Sequence, residues 1–303
     1  MMTATAAATA VAVLGSVLAG CGAPERTRTE AVAPPAGSTI PADESSAPPA
    51  GAVPSATAEA GQGQGQGPPT MAPGPAGTTP VFERRAEHAP GGADKVVALT
   101  FDADMTADQG PRAAAGEQFD NPPLIALLRR LKVPSTVFMT GRWAREYPSQ
   151  ARAIGNDPLF EVANHSYSHY AFSSPCYGLP TVAESAMRGE VERAFTEIRR
   201  TGARNVVPYF RFPGGCYDDV SLKALASTGV TAVQWDVVSG DAFATDAGAV
   251  AEQVLDGVRP GSLVVMHCTR SAAPVTEDAV RRVVPELRRR GYRFVKVSEL
   301  MRG

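Results

Sequence analysis

From Lys95 onward the chain alternates, about seven times, between short apolar runs rich in β-branched residues and longer stretches with helical apolar spacing. No other feature constrains the fold as much. KVVALTFD (95–102), STVFM (135–139), PLFEVAN (158–164), VPYFRF (207–212), VTAVQWDVV (230–238), SLVVMH (262–267) and YRFVKV (292–297) read as buried strands. Between them NPPLIALLRRL (121–131), RWAREYPSQARAI (142–154), TVAESAMRGEVERAFTEIRRTG (181–202), DDVSLKALASTG (218–229), DAGAVAEQVLDGV (246–258) and EDAVRRVVPELRRRG (277–291) read as helices. Asn121 is placed to cap the first of these, and Pro148 to break the second. Alternation of this kind predicts an α/β fold, a parallel sheet covered by helices, either open or closed into a barrel. Chemistry in such folds gathers where the strands end.

The first 80 residues do not share the pattern. They contain no Phe, Tyr or Trp, and residues 22–80 are mostly Ala, Pro, Gly, Ser and Thr, with a GQGQGQGPP run at 61–69. Such a segment cannot bury enough apolar surface to offset its ordering entropy. We read 1–20 as an export signal, 21–80 as a disordered tether with a reach of roughly 40 Å, and 81–303 as one folded domain. The apolar stretch ATAVAVLGSVLAG is short for a membrane span. It ends in Leu18-Ala19-Gly20-Cys21, which resembles a bacterial lipoprotein signal, with Cys21 as the acylated residue; no Lys or Arg precedes it. The other reading is an ordinary cleaved secretory signal. Either way the mature protein is exported, to the outer face of a bacterial membrane if lipidated. A net charge of −2 argues against nucleic acid as the main partner, and the chain is read as a monomer.

Three of the four histidines fall just past strand ends: His165 and His169 after FEVAN, and His267 closing LVVM. Asp102 and Asp104 close the first strand, Arg211 the VPYF strand, and Asp241 follows WDVVS. One rim therefore collects three carboxylates, three imidazoles and a guanidinium. His165 and His169 are four residues apart; on a helical turn both face one way and share a metal. With a carboxylate from another strand they make a two-histidine, one-carboxylate site, the layout of a catalytic Zn2+ or similar ion.

Five stretches, in order, resemble the motifs of the polysaccharide deacetylases, carbohydrate esterase family four, with the NodB-homology fold. LTFDADMT resembles TFDDG, NHSYSH resembles H-S/T-x-x-H, RFPGG resembles R-x-P-x-G, WDVVSGDAF resembles D-x-x-D-W, and LVVMH resembles L-x-H. The resemblance spans about 95–300 and implies a distorted (β/α) barrel, often of seven strands. It implies hydrolysis of an acetyl group on a glycan, peptidoglycan N-acetyl groups first, with a divalent metal, Zn2+ ahead of Co2+ or Ni2+. An O-acetyl polysaccharide esterase and a weakly catalytic glycan-binding lipoprotein are the alternatives.

By position, the resemblance makes Asp102 the general base, Arg211 its orienting partner, His267 the general acid and Asp241 the residue that holds His267. It makes His165 and His169 metal ligands, the Gly214 N–H an oxyanion donor, and Val265 part of the acetyl methyl pocket. Two positions depart from the family's pattern. The second Asp of TFDDG is Ala103 here, and Asp104, one residue on, is the expected substitute ligand. The motif-four Trp is Ala242, with Phe243 following. Of the four cysteines, Cys21 goes to the lipid; among the remaining three the Cys176–Cys216 bridge is favoured over the other pairings, leaving Cys268 free near the rim.

Overall fold

The computed structural model describes residues 67–87 and 94–302. Cys21, the expected signal segment (1–20) and residues 21–66 of the expected tether lie outside the described residues. No helix among the described residues is long and apolar enough to cross a membrane.

A short strand, β1 (Val81–Phe82), precedes the main strand β2 (Val96–Ala103). Then come α1 (Gln109–Ala114), α2 (Pro122–Leu131), β3 (Ser135–Met139), α3 (Gly141–Glu146), α4 (Pro148–Gly155) and β4 (Phe160–Asn164). Next are α5 (Glu184–Arg200), β5 (Val206–Phe210), α6 (Asp219–Leu225), β6 (Thr231–Val233) and β7 (Val237–Val238). The chain closes with α7 (Ala247–Gly257), β8 (Ser262–His267), α8 (Thr276–Arg289), β9 (Arg293–Phe294) and α9 (Val297–Arg302). Asn121 caps α2 by accepting from Leu124 N, and the chain breaks between α3 and α4 just before Pro148. Both follow the local rules that predict them.

All pairings are parallel, in the order β1-β6-β5-β4-β3-β2-β8-β7. The ladder has nine strands among the described residues, two more than the expected seven, because β1 adds an edge strand and the expected strand at 230–238 is two strands. That run leaves β5 at Val233 and joins β8 at Val237, so it crosses from one end of the sheet to the other. Gln234–Asp236 thus closes the curled sheet covalently where no ladder does, the distortion of the barrel. The expected strand at 292–297 is also shorter: Arg293–Phe294 pairs with Val96–Val97 on the edge of β2 that β3 leaves free. Beyond it, Val297 N donates to Thr136 Oγ1 and Ser298 N to Glu161 Oε1, and these caps start α9 instead.

The expected spacer boundary at residue 80 is also displaced. Residues 67–80 lie along the domain: Tyr209 OH donates to Pro69 O at 2.8 Å, Met71 N to Thr231 Oγ1 at 3.0 Å, and Thr79 N to Leu222 O at 3.0 Å. Hydrogen bonds to the segment's own main-chain groups, two of them from or to domain side chains, fasten it, which is why composition misses it.

Alternate residues of each strand face opposite ways. Val97, Leu99, Phe101 and Ala103 of β2 join the core shared with the helices, together with Leu124, Leu128, Val280 and Val284. Val96 and Ala98 face the barrel interior with Phe138, Ala163, Tyr209 and Leu263. Each interior row, extended to the C-terminal end of its strand, arrives at a reactive side chain: Asp102 on β2, His165 after β4, Arg211 after β5 and His267 on β8.

Candidate active site

The floor of the site is the Asp102–Arg211 pair. Arg211 is fully buried; Nη1 donates to Asp102 Oδ1 at 2.7 Å, Nε to Val233 O at 3.1 Å and Nη2 to Gln234 O at 3.3 Å. Its guanidinium also lies 3.9 Å from the Phe138 ring centroid. A charge buried this deeply is tolerable only when its donors are used, and here a carboxylate, two carbonyls and a ring take them. Asp102 Oδ2 stays clear of the arginine and faces His165 Nε2 at 3.5 Å.

His165 Nδ1 lies 2.9 Å from Arg211 O. A carbonyl only accepts, so Nδ1 carries the proton and Nε2 keeps its lone pair. His169 Nε2 faces Asp104 Oδ2 at 3.9 Å, and the two imidazole centroids are 4.9 Å apart. The expected helical turn between them is absent. An irregular loop with left-handed Ser166 and His169 brings the rings together. Glu190 shapes that loop by accepting from Tyr167 N, Ser168 N and Ser168 Oγ.

The strand pairing of β2 also accounts for Ala103. It faces the helix-side core and is fully buried, whereas Asp104 returns to the interior side. Thr269 fixes Asp104: its hydroxyl accepts from Asp104 N and donates to Oδ1. Burial penalises this carboxylate, yet His169, His267 and the Thr269 hydroxyl hold it below the usual carboxylate range. Burial pushes His169 down to about 4, so its imidazole is neutral at ordinary pH.

No group of three or more such side chains forms a ready metal cage among the described residues. The donors come instead as two facing pairs, Asp102–His165 and Asp104–His169. Their chemistry fits a divalent ion, with a free Nε2 lone pair on His165, a neutral His169 and an ionised Asp104 within reach.

On the other side of Asp102, its register partner across the β2–β8 ladder is His267. Asp241 clasps that residue twice: Oδ1 lies 2.8 Å from His267 Nδ1, and Oδ2 accepts from His267 N at 2.8 Å. Ser239 Oγ and Thr276 Oγ1 donate to the same carboxylate. Burial works against charging His267, but the Asp241 carboxylate outweighs it and carries the imidazole up to about 9. Val265 lies two residues below His267, buried in the same interior row.

Gly214 has φ +65°, and a Cβ there would come within 2.7 Å of Cys176 Sγ, so both backbone and space require glycine. Cys176 and Cys216 form the favoured disulfide, which joins the loop after the histidines to the loop carrying Gly214. Cys268 is fully buried in the helix-side core rather than at the rim, and burial pushes its thiol up to about 12. Phe243, which follows Ala242, does not replace the motif-four Trp as a buried wall: it is 83% exposed. Four functional contacts escape a sequence reading, those of Glu190, Ser239, Thr269 and Thr276. Ser239, Thr269 and Thr276 act from loops or a helix end, where spacing carries no period, and Glu190 acts from within α5 on an irregular loop; only the proximity of Ser239 to Asp241 was a signal.

The family model for polysaccharide deacetylases matches residues 90–233. Over that span the chain is similar to the polysaccharide deacetylases. Among curated relatives, the chitooligosaccharide deacetylase of Azorhizobium caulinodans is 28% identical over 199 residues, covering 62% of this chain and 89% of its own. The peptidoglycan-N-acetylglucosamine deacetylase of Bacillus cereus is 26% identical over 212 residues, covering 69% and 89%. Among solved structures, a family 4 carbohydrate esterase from Streptomyces lividans in complex with acetate superposes with a TM-score of 0.54 at 26% identity, covering 67% of this chain and 92% of that one.

Proposed function

We propose that this protein hydrolyses N-acetyl groups on a cell-wall or other extracellular polysaccharide, with peptidoglycan the first candidate. The observation that carries the reading is the pairing of two unlike dyads across one strand ladder. Asp102, held by Arg211, and His267, held by Asp241, are register partners on β2 and β8. Binding a glycan needs no such pair. Cleaving an amide needs a base for the incoming water and an acid for the departing amine.

In this mechanism Asp102 takes a proton from water on its free Oδ2, while Arg211 holds the carboxylate in place through its 2.7 Å bond to Oδ1. The Gly214 N–H donates to the developing oxyanion. His267, protonated on both nitrogens below about pH 9, releases its Nε2 proton to the amine. Val265 packs against the acetyl methyl. Asp104, His165 and His169 would hold a divalent ion, Zn2+ ahead of Co2+ or Ni2+, which supplies Lewis-acid polarisation of the acetyl oxygen and of water.

Export fits the Cys176–Cys216 bridge, since such bonds persist in oxidising compartments. We propose lipid attachment at Cys21 and a tether reaching to about residue 66, which would hold the domain at the outer membrane face within reach of the wall. Acetate release from N-acetylglucosamine oligomers tests the activity, measured with and without a chelator and with Zn2+, Co2+ or Ni2+ added back. Release that the chelator stops and Zn2+ restores is expected. No release with any divalent metal on any acetylated glycan would leave a glycan-binding lipoprotein.

A further inference from the structure

Beside the reacting groups lies a second cleft, of about 170 Å3, lined by Met105, Thr106, Arg142, Arg145, Glu146 and Tyr167 among others. It starts one residue past Asp104 and is walled by Tyr167, which stands midway between His165 and His169. It therefore lies on the same rim as the site. None of the mechanism's groups uses it.

Its chemistry is cationic. Arg145 Nη1 donates to Tyr167 OH at 2.7 Å, and the Arg142 guanidinium lies 5.1 Å from the Tyr167 ring centroid. Arg193 stacks on that same ring at 3.5 Å. None of the three arginines makes an ion pair among the described residues. The Arg142 Nε is buried with no hydrogen-bond partner. A buried, unpaired guanidinium N–H is costly, so the fold leaves the Arg142 head group without a full set of acceptors. Glu146 is the one carboxylate lining the cleft, against two guanidiniums. Tyr167 is itself pinned, because its backbone N–H and Ser168 are held by Glu190. The guanidiniums are thus braced against a fixed ring, an arrangement suited to an oxyanion.

We propose that this cleft is an anion subsite, binding a carboxylate or phosphate carried by the glycan next to the acetamido group under hydrolysis. The inference rests on the deacetylase reading for its place in catalysis and on its own geometry for binding. It makes the enzyme selective for acidic wall glycan over neutral chito-oligomers.

The test is calorimetry on the purified full chain, with a peptidoglycan disaccharide whose lactyl carboxylate is either free or capped as a methylamide. The acid is expected to bind about tenfold tighter than the amide, a difference of ~1.4 kcal/mol, and the gap is expected to narrow with salt. Arg145→Gln and Arg142→Met should each close it. Arg145 is exposed, so its variant remains informative should Arg142→Met fail to fold. Equal affinity for acid and amide, or a gap that neither variant moves, overturns the proposal. Inorganic phosphate is the second probe: displacement of the acid by phosphate at equal concentration assigns the cleft to phosphate, and failure to displace assigns it to carboxylate. Acetate release is read in parallel. A wild type that prefers the acid but releases no acetate from any glycan loses the deacetylase reading and keeps the subsite. One that releases acetate without charge preference does the reverse.

Discussion

Asp102 and Glu161 both put a carboxylate inside the same barrel, and both are 3% exposed. They sit at opposite ends of it, Asp102 where β2 finishes and Glu161 near the start of β4. Glu161 is spent on the fold: its Oε1 accepts from Thr136 Oγ1 at 2.8 Å and from Ser298 N at 3.0 Å, where it caps α9. Asp102 gives one oxygen to Arg211 at 2.7 Å and leaves the other facing an imidazole at 3.5 Å. Burial alone therefore does not separate a reactive carboxylate from a structural one. What separates them is what each carboxylate faces, fold-forming hydroxyl and amide donors for Glu161 and an arginine and an imidazole for Asp102, and at which end of the strands the group lies.

The sharpest way to break that contrast is Asp102→Asn. It keeps the shape and an acceptor for Arg211 but removes the base. We expect kcat to fall by about 10³-fold, within the range for loss of a general base, while circular dichroism stays that of a folded barrel. Retention of more than a tenth of the activity would move the base elsewhere. The second test concerns the acid. With His267 raised to about 9, its protonated form is present below that pH and is lost as pH rises through it, so kcat should decline on an alkaline limb near 9. Asp241→Asn removes the charge that opposes burial. The limb should then move below about 6.5, the ordinary imidazole value, with kcat at neutral pH down by roughly 10²-fold. An unmoved limb would assign it to another group.

Smaller effects come from the neighbouring positions that the strand separates. Asp104→Ala should lower Zn2+ retained after dialysis by about tenfold or more; unchanged occupancy would mean that the two histidines hold the ion without it. The reverse substitution, Ala103→Asp, restores the second Asp of the family's motif. On this strand it points a carboxylate into the helix-side core, where Ala103 is fully buried. It should cost about 3 kcal/mol of stability in a urea titration and add no metal affinity.

These pairs also mark how far the sequence carries. The apolar runs and their strand-end residues placed Asp102, His165, Arg211 and His267 on one rim, because a parallel sheet with alternating faces leaves no other arrangement. Asp104 over Ala103 followed from the same period of two. What escaped detection depends on groups without a period. Thr269 and Thr276 reach the site from loops and helix ends. The segment from 67 to 80 is held through its own main-chain groups, to which composition is blind. YRFVKV reads as a strand by propensity, yet side-chain caps from Thr136 and Glu161 turn its end into α9.

The smallest expected effect lies in the structural carboxylate. Glu161→Ala strands the Thr136 hydroxyl and removes the cap on Ser298 N, both buried. The loss of two hydrogen bonds should cost about 2–4 kcal/mol, or a fall in Tm of roughly 5–10 °C for a domain of this size. Because the damage sits at the far end of the strands, kcat per folded molecule should stay within about twofold, since distant sites behave additively. Measured beside Asp102→Asn, the two variants should divide cleanly, one losing turnover with its fold kept and the other losing stability with its turnover kept. A Glu161→Ala protein that folds well but turns over slowly would show that the two ends of the barrel are coupled, most directly through β4, which carries Glu161 at one end and leads into His165 at the other.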